Sequence, residues 1–124
     1  MTEQRHGGFV DERGTIQDLL TEPLDAVTEI FTKKGAVRGN HVHKETVQYT
    51  YVVSGRLRMV HHCKDGFITD QNYGSGALVC DEPGDAHAWE ALEDTKVLVF
   101  TRGPRSGANY EDDVQRLAPE DRLI

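Results

Sequence analysis

The chain has 124 residues, room for one domain around a single core. Only 37% of residues are hydrophobic, so that core is small or is completed by a second chain. The formal net charge of −7 argues against a nucleic-acid surface and an anionic membrane surface. A phosphorylated small molecule is not excluded, because a local arginine can override the net field.

The opening stretch, MTEQRHGGFVDERG, is polar and lacks the apolar segment of a signal peptide. No later run reaches membrane-spanning length, so a soluble, cytoplasmic protein is expected. Turn residues recur about every ten positions, the rhythm of an all-β sandwich or barrel. GGFVDERGTIQDLL reads as lead-in strands turning at Arg13-Gly14. AVTEIFTKKGAVRGNHVH reads as two strands broken at Lys34-Gly35, and VQYTYVVSGRLRMVHH as a hairpin turning at Ser54-Gly55. Further turns are expected at Asp65-Gly66, Gly74 to Gly76, Pro83-Gly84 and Glu93-Asp94, before a strong strand KVLVFTR. In the closing NYEDDVQRLAPEDRLI, Tyr110, Val114 and Leu117 have helical spacing, but Pro119 interrupts it, so helix and coil are both open. The expected layout is one domain over 1–124: lead-in strands over 1–30, a barrel over 31–102 and an acidic, solvated tail over 103–124.

Alternation along strands then assigns faces. His41 and His43 point the same way. Gln48 has the opposite parity, which a turn in KETV can reset. Gln48, Thr50 and Val52 share one face of their strand, with Tyr49, Tyr51 and Val53 on the other, where the two tyrosines are expected to pack a subunit interface. Leu57, Met59 and His61 go together while Arg56 and Arg58 face away, and His87 opens a strand whose same face carries Trp89 and Ala91. Three imidazoles and an amide oxygen suit a divalent Zn, Ni, Fe or Mn ion and leave coordination positions open. The expected metal set is therefore His41, His43, Gln48 and His87. His6 and His62 read as surface residues, and Cys63 and Cys80, outside any CxxC pair, as free thiols in a reducing compartment.

The spacing Gly35, His41, His43, Gln48, Gly55 resembles the first metal motif of the cupin superfamily, with Gln48 where cupins usually carry Glu. Gly84 and His87 keep the spacing of the second motif, although Pro83 sits one place too close and Ala91 replaces the Asn. FVDERGTIQDL, VRGNHVHK and the RGPRSGANYEDDVQRL tail are similar to RmlC-like cupins of deoxysugar and capsule biosynthesis. These are 3,5-epimerase-like, 3,4-ketoisomerase-like and metal-containing 3-epimerase-like proteins. The resemblance implies a jelly-roll (double-stranded β-helix) barrel and an isomerase or epimerase of a nucleotide-linked keto sugar. Arg38 and Trp89 are then substrate-binding candidates, and His61 and Tyr110 candidate proton-transfer groups. With an ion bound, the base is His61, Tyr110 or a glutamate; without one, it is His41 or His43. A metal-dependent dioxygenase and a non-catalytic small-molecule binder are the alternatives. Outward aromatics and VLVF suggest an apolar outer surface covered in a homodimer.

Overall fold

The computed structural model describes residues 1–3, 8–104 and 107–124, so His6 lies outside the described residues. Strands dominate: β1 (Thr2–Glu3), β2 (Gly8–Asp11), β3 (Gly14–Gln17), β4 (Ala26–Thr32), β5 (Val37–His43), β6 (Val47–Ser54), β7 (Arg56–His62), β8 (Ile68–Gly74), β9 (Leu78–Asp81), β10 (Ala86–Ala91) and β11 (Thr95–Arg102). A short helix α1 (Gly107–Asp113), strand β12 (Val114–Arg116) and a 3₁₀ turn at Pro119–Asp121 close the chain. One sheet has the order β1-β9-β6-β11-β4 and a second the order β12-β5-β10-β7-β8, while among the described residues β2 and β3 pair only with each other.

The two sheets face each other as a jelly roll. Val52, Leu57, Met59, Tyr73, Val79, Trp89, Ala91, Val97 and Val99 fill the space between them. The expected alternation holds on β6 and β7: Thr50, Val52, Leu57 and His61 are wholly buried. Both faces of β6 are covered, however. Tyr49, Leu78 and Cys80 form a second cluster on its outer side, lined by Leu20 and Phe100, and the Tyr49 hydroxyl donates to Glu22 at 2.8 Å. Tyr49 therefore packs inside its own chain, against the expectation of a subunit interface.

The chain turns at Ser54-Gly55, but not as a hairpin. β6 pairs with β9 and β11, whereas β7 pairs with β8 and β10, so the turn carries the chain from one sheet to the other. Alternation identifies a strand but says nothing about its neighbour. Gly55 makes the crossover with φ +93°, and a Cβ there would clash with Thr95 Oγ1. β4 and β5 are split between the sheets in the same way, whereas β7 and β8 do form a hairpin about Asp65-Gly66.

The C-terminal stripe Tyr110-Val114-Leu117 is not a helix face, because α1 stops at Asp113 and Val114 begins β12. β12 adds to the edge of β5, pairing Val114 with His43 and Arg116 with His41. The acidic tail is thus not simply solvated: it completes a sheet and buries Asp113 to 2% exposure.

Candidate active site

One end of the barrel is apolar and the other polar, and this follows from where each strand stops. β5 ends at His43, β7 reaches His61, and β9 ends at Asp81. β6 begins beside Gln48 and β10 beside His87. Cross-strand pairing puts His87 between His41 and His61, and Gln48 opposite Asp81. The Pro83-Gly84 turn is fixed to this end by Gly84 N–H donating to the His43 carbonyl at 2.8 Å.

A bulge sets the cavity wall. His87 opposes His41, and the next residue, Ala88, opposes Gly39, leaving Asn40 as the extra residue in β5. Asn40 sits at φ 56°, a left-handed conformation that costs a non-glycine residue roughly 1 kcal/mol or more. The C-terminal segment holds it there: Asn40 Oδ1 accepts from Leu123 N–H at 2.8 Å and Ile124 N–H at 3.3 Å, and Leu117 N–H donates to the Asn40 carbonyl at 2.9 Å. The extra residue resets the alternation, so Arg38 shares the inward face with His41 and His43 and pairs with Trp89.

The resulting cavity has a volume of about 260 Å³ and is lined by Arg38, His41, His43, Gln48, Trp89 and Tyr110, among others that include His87. Its imidazoles crowd together: the donor atoms of His41, His43 and His87 all lie within 4.8 Å of one another. His41 Nε2 is 3.0 Å from His87 Nε2. Burial, then the neighbouring His87 and His43, hold the His41 pKa down at about 3, and burial also lowers that of His87. Neutral imidazoles with lone pairs are what a cation needs. Nitrogens 2.0–2.1 Å from a shared ion would lie closer than 4.8 Å, so the set fits a divalent ion after a modest inward rotation. Gln48 lines the same cavity, its Nε2 donating to Thr50 Oγ1 at 3.3 Å.

Two buried carboxylates back these histidines, and neither was expected from the sequence. Asp113 Oδ2 is 2.9 Å from His43 Nδ1 and 2.7 Å from Thr46 Oγ1, while Oδ1 accepts from the N–H groups of Glu45 at 2.6 Å and Thr46 at 3.2 Å. Burial works against its ionisation, but the hydrogen bonds from Thr46, His43 and Glu45 outweigh it and lower its pKa. Asp81 Oδ1 is 2.8 Å from His61 Nε2 and Oδ2 is 3.5 Å from His87 Nδ1. A signal for Asp81 was present: an acid closing the apolar run ALVCD at inward parity. Asp113 gave none, since it lies among the acids of EDD and its partner is 70 residues away.

Among the candidate proton-transfer groups, Tyr110 reaches the cavity, its ring centroid 6.3 Å from that of His43. His61 does not. It is fully buried behind His87, with Asp81 at one ring nitrogen and Thr69 Oγ1 3.4 Å from the other, so direct contact with a ligand is closed to it. Strand alternation placed His61 inward correctly but could not say how deep. Arg38 is at the wall, with Nε and Nη2 donating to Thr32 Oγ1 and the Phe31 carbonyl at 3.0 Å each. Trp89 serves both core and cavity wall. His62 is exposed and both thiols are free. No helix among the described residues is long and apolar enough to cross a membrane.

Solved structures share this architecture over nearly the whole chain. A dTDP-4-dehydrorhamnose 3,5-epimerase from Sulfolobus tokodaii aligns with a TM-score of 0.74 and 19% identity, covering 97% of this chain and 83% of its own. The fold is that of the RmlC-like cupins. A 3,4-ketoisomerase from Helicobacter canadensis aligns on this chain with a TM-score of 0.77 and 17% identity, over 97% of this chain and 92% of its own. QdtA, a sugar 3,4-ketoisomerase from Thermoanaerobacterium thermosaccharolyticum in complex with TDP, gives 0.77 and 15% over 97% and 90%. No family model and no curated protein matches the chain by sequence.

Proposed function

We propose that this cupin is an enzyme of sugar metabolism that moves a proton next to the carbonyl of a nucleotide-linked keto sugar, as an epimerase or ketoisomerase. The observation that carries the reading is His43 backed by Asp113 on the wall of a cavity shared with Tyr110. With Asp113 accepting from Nδ1, His43 turns its Nε2 lone pair to the cavity. It takes the proton from the carbon beside the carbonyl, and the buried carboxylate stabilises the imidazolium that forms. Tyr110 is the partner for proton return. Arg38 supplies positive charge at the same wall for the enolate or a phosphate. The fold neighbours support the substrate class: one is named for a dTDP-linked sugar, another is bound to TDP. The cavity of about 260 Å³ lies just under the roughly 300–1,000 Å³ usual for small-molecule sites, which suits a sugar ring with its nucleotide across the mouth.

The clustered imidazoles favour a second state of the same site. His41, His43 and His87, with Gln48 beside them, are the residues that would hold a Zn, Ni, Fe or Mn ion. Bound there, such an ion would supply Lewis-acid polarisation of a carbonyl oxygen. His43 is then unavailable as base and Tyr110 carries the proton transfer. Metal content of the purified protein, set beside a His87→Ala variant, separates the two states. Exposed Phe9, Val10, Ile16, Val27 and Phe31 support a homodimer, to be read by light scattering.

The test is incubation with a panel of nucleotide-linked keto sugars in heavy water. Deuterium is expected at the carbon next to the carbonyl. No uptake from any of them overturns the proposal, and oxygen consumption in its place points to a dioxygenase.

A further inference from the structure

A buried carboxylate touching no ligand cavity usually belongs to packing, and Asp81 does not fit that role. It is 2% exposed on the inner face of β9, and neither oxygen receives a well-aligned hydrogen bond. It lies against ring nitrogens of two histidines on other strands, with His61 Nε2 at 2.8 Å and His87 Nδ1 at 3.5 Å. We infer that Asp81 is a positioning residue: it sets the tautomer of His87 and, through His87, that of His41, leaving His43 as the cavity imidazole with an open lone pair.

Although neither contact is aligned as a hydrogen bond, a carboxylate accepts and cannot donate, so hydrogen is favoured on the ring nitrogens that face it. His61 therefore holds its proton on Nε2, which leaves Nδ1 to accept from the Thr69 hydroxyl at 3.4 Å. His87 turns its Nδ1 to Asp81. At 3.5 Å that contact is long for a hydrogen bond. The carboxylate charge, sealed from water, still favours the tautomer that points N–H toward it. A neutral imidazole has one N–H, so His87 Nε2 bears a lone pair. Two ring nitrogens 3.0 Å apart need one hydrogen between them, and His41 Nε2 must supply it. Asp113 fixes His43 by the same rule, with hydrogen on Nδ1 and the lone pair on Nε2.

The consequence separates histidines that look alike in the sequence. In the ion-free protein the His87 lone pair is occupied by His41, the His41 Nε2 hydrogen is engaged, and His43 Nε2 is open. This rests on the proposed site and deepens it, because the two carboxylates then decide which imidazole serves as base. It also bears on a cation: His43 and His87 already present lone pairs, while His41 must first move its hydrogen to Nδ1.

The experiment reads tautomers rather than turnover, so it stands apart from the heavy-water test. Long-range proton–nitrogen correlation spectra are recorded at pH 8 on chelator-treated, nitrogen-15-labelled protein. Hydrogen is expected on Nδ1 of His43 and His87 and on Nε2 of His41. In Asp81→Asn, the His87 and His41 signals are expected to move toward the opposite tautomers while His43 stays as it was. Hydrogen on Nε2 of His87 in the unmodified protein, or unchanged His41 and His87 signals in Asp81→Asn, overturns the inference. Should Asp81→Asn not fold, His87→Gln gives the second reading: the His41 nitrogen signals shift if His87 was its acceptor and hold still if it was not. A protein with the expected tautomers that exchanges no deuterium would sink the proposed reaction and leave the Asp81 assignment intact.

Discussion

Replacing Asp113 separates holding the barrel end together from tuning its chemistry. The carboxylate accepts four hydrogen bonds, from His43 Nδ1, Thr46 Oγ1 and the N–H groups of Glu45 and Thr46. Asp113→Ala strips all of them from a buried site, and breaking one side of such a pair costs about 3–5 kcal/mol. Asp113→Asn is much milder. Its amide oxygen can keep both backbone N–H groups, and the Thr46 hydroxyl can turn round to accept from the new NH₂, for a cost of about 1–2 kcal/mol. His43 cannot accommodate the change so easily. Facing an NH₂, its Nδ1 must accept, which moves the ring hydrogen to Nε2 and removes the lone pair from the cavity. An exchange of acceptor for donor behind a catalytic histidine costs on the order of 10³–10⁴ in rate. Urea unfolding followed by circular dichroism measures the first effect, and deuterium incorporation from heavy water the second. An Asn variant exchanging within tenfold of the unmodified protein would refute the assignment of His43 as base.

Other expectations follow from the same geometry. The unfolded chain protonates His41 near 6.5, whereas the folded chain does so only at about 3, so stability falls as pH drops through that window. The loss is on the order of a few kcal/mol, and lowering of the Asp113 pKa adds a further loss below about pH 4. His41→Gln should flatten the pH dependence of urea midpoints between 6.5 and 4; an unchanged slope counts against it. Gly55→Ala should cost about 2–4 kcal/mol, since it strains φ and drives a methyl into Thr95, and a midpoint shift under 1 kcal/mol would show that the crossover relaxes easily. Arg38→Ala should raise KM for a nucleotide-linked keto sugar about tenfold with a smaller change in kcat, and equal loss in both would move Arg38 from binding to chemistry.

Much of the barrel was legible before any coordinates. Turn residues at ten-residue intervals and two-residue alternation give all-β architecture, and they place Val52, Leu57, Met59 and His61 inward, because both signals act between neighbours in sequence. The convergence of His41, His43, Gln48 and His87 on one cavity was expected from motif spacing. Pairing was not legible. Ser54-Gly55 has the local chemistry of a hairpin turn, and only the competition of β8, β9, β10 and β11 for partners sends β6 and β7 into different sheets. Arg38 joined the wall through a bulge that the C-terminal segment holds in place, a contact across 83 positions between Asn40 and Leu123. Depth removed His61 from the cavity, and the tail supplied Asp113 through a strand that read as solvated acid. The sequence by itself determined which residues form strands, which face each turns, and that histidines would gather at one barrel end. The tertiary structure decided which carboxylate stands behind each of them, because hydrogen-bond partners of a buried imidazole come from whichever strand lies beside it, however distant along the chain.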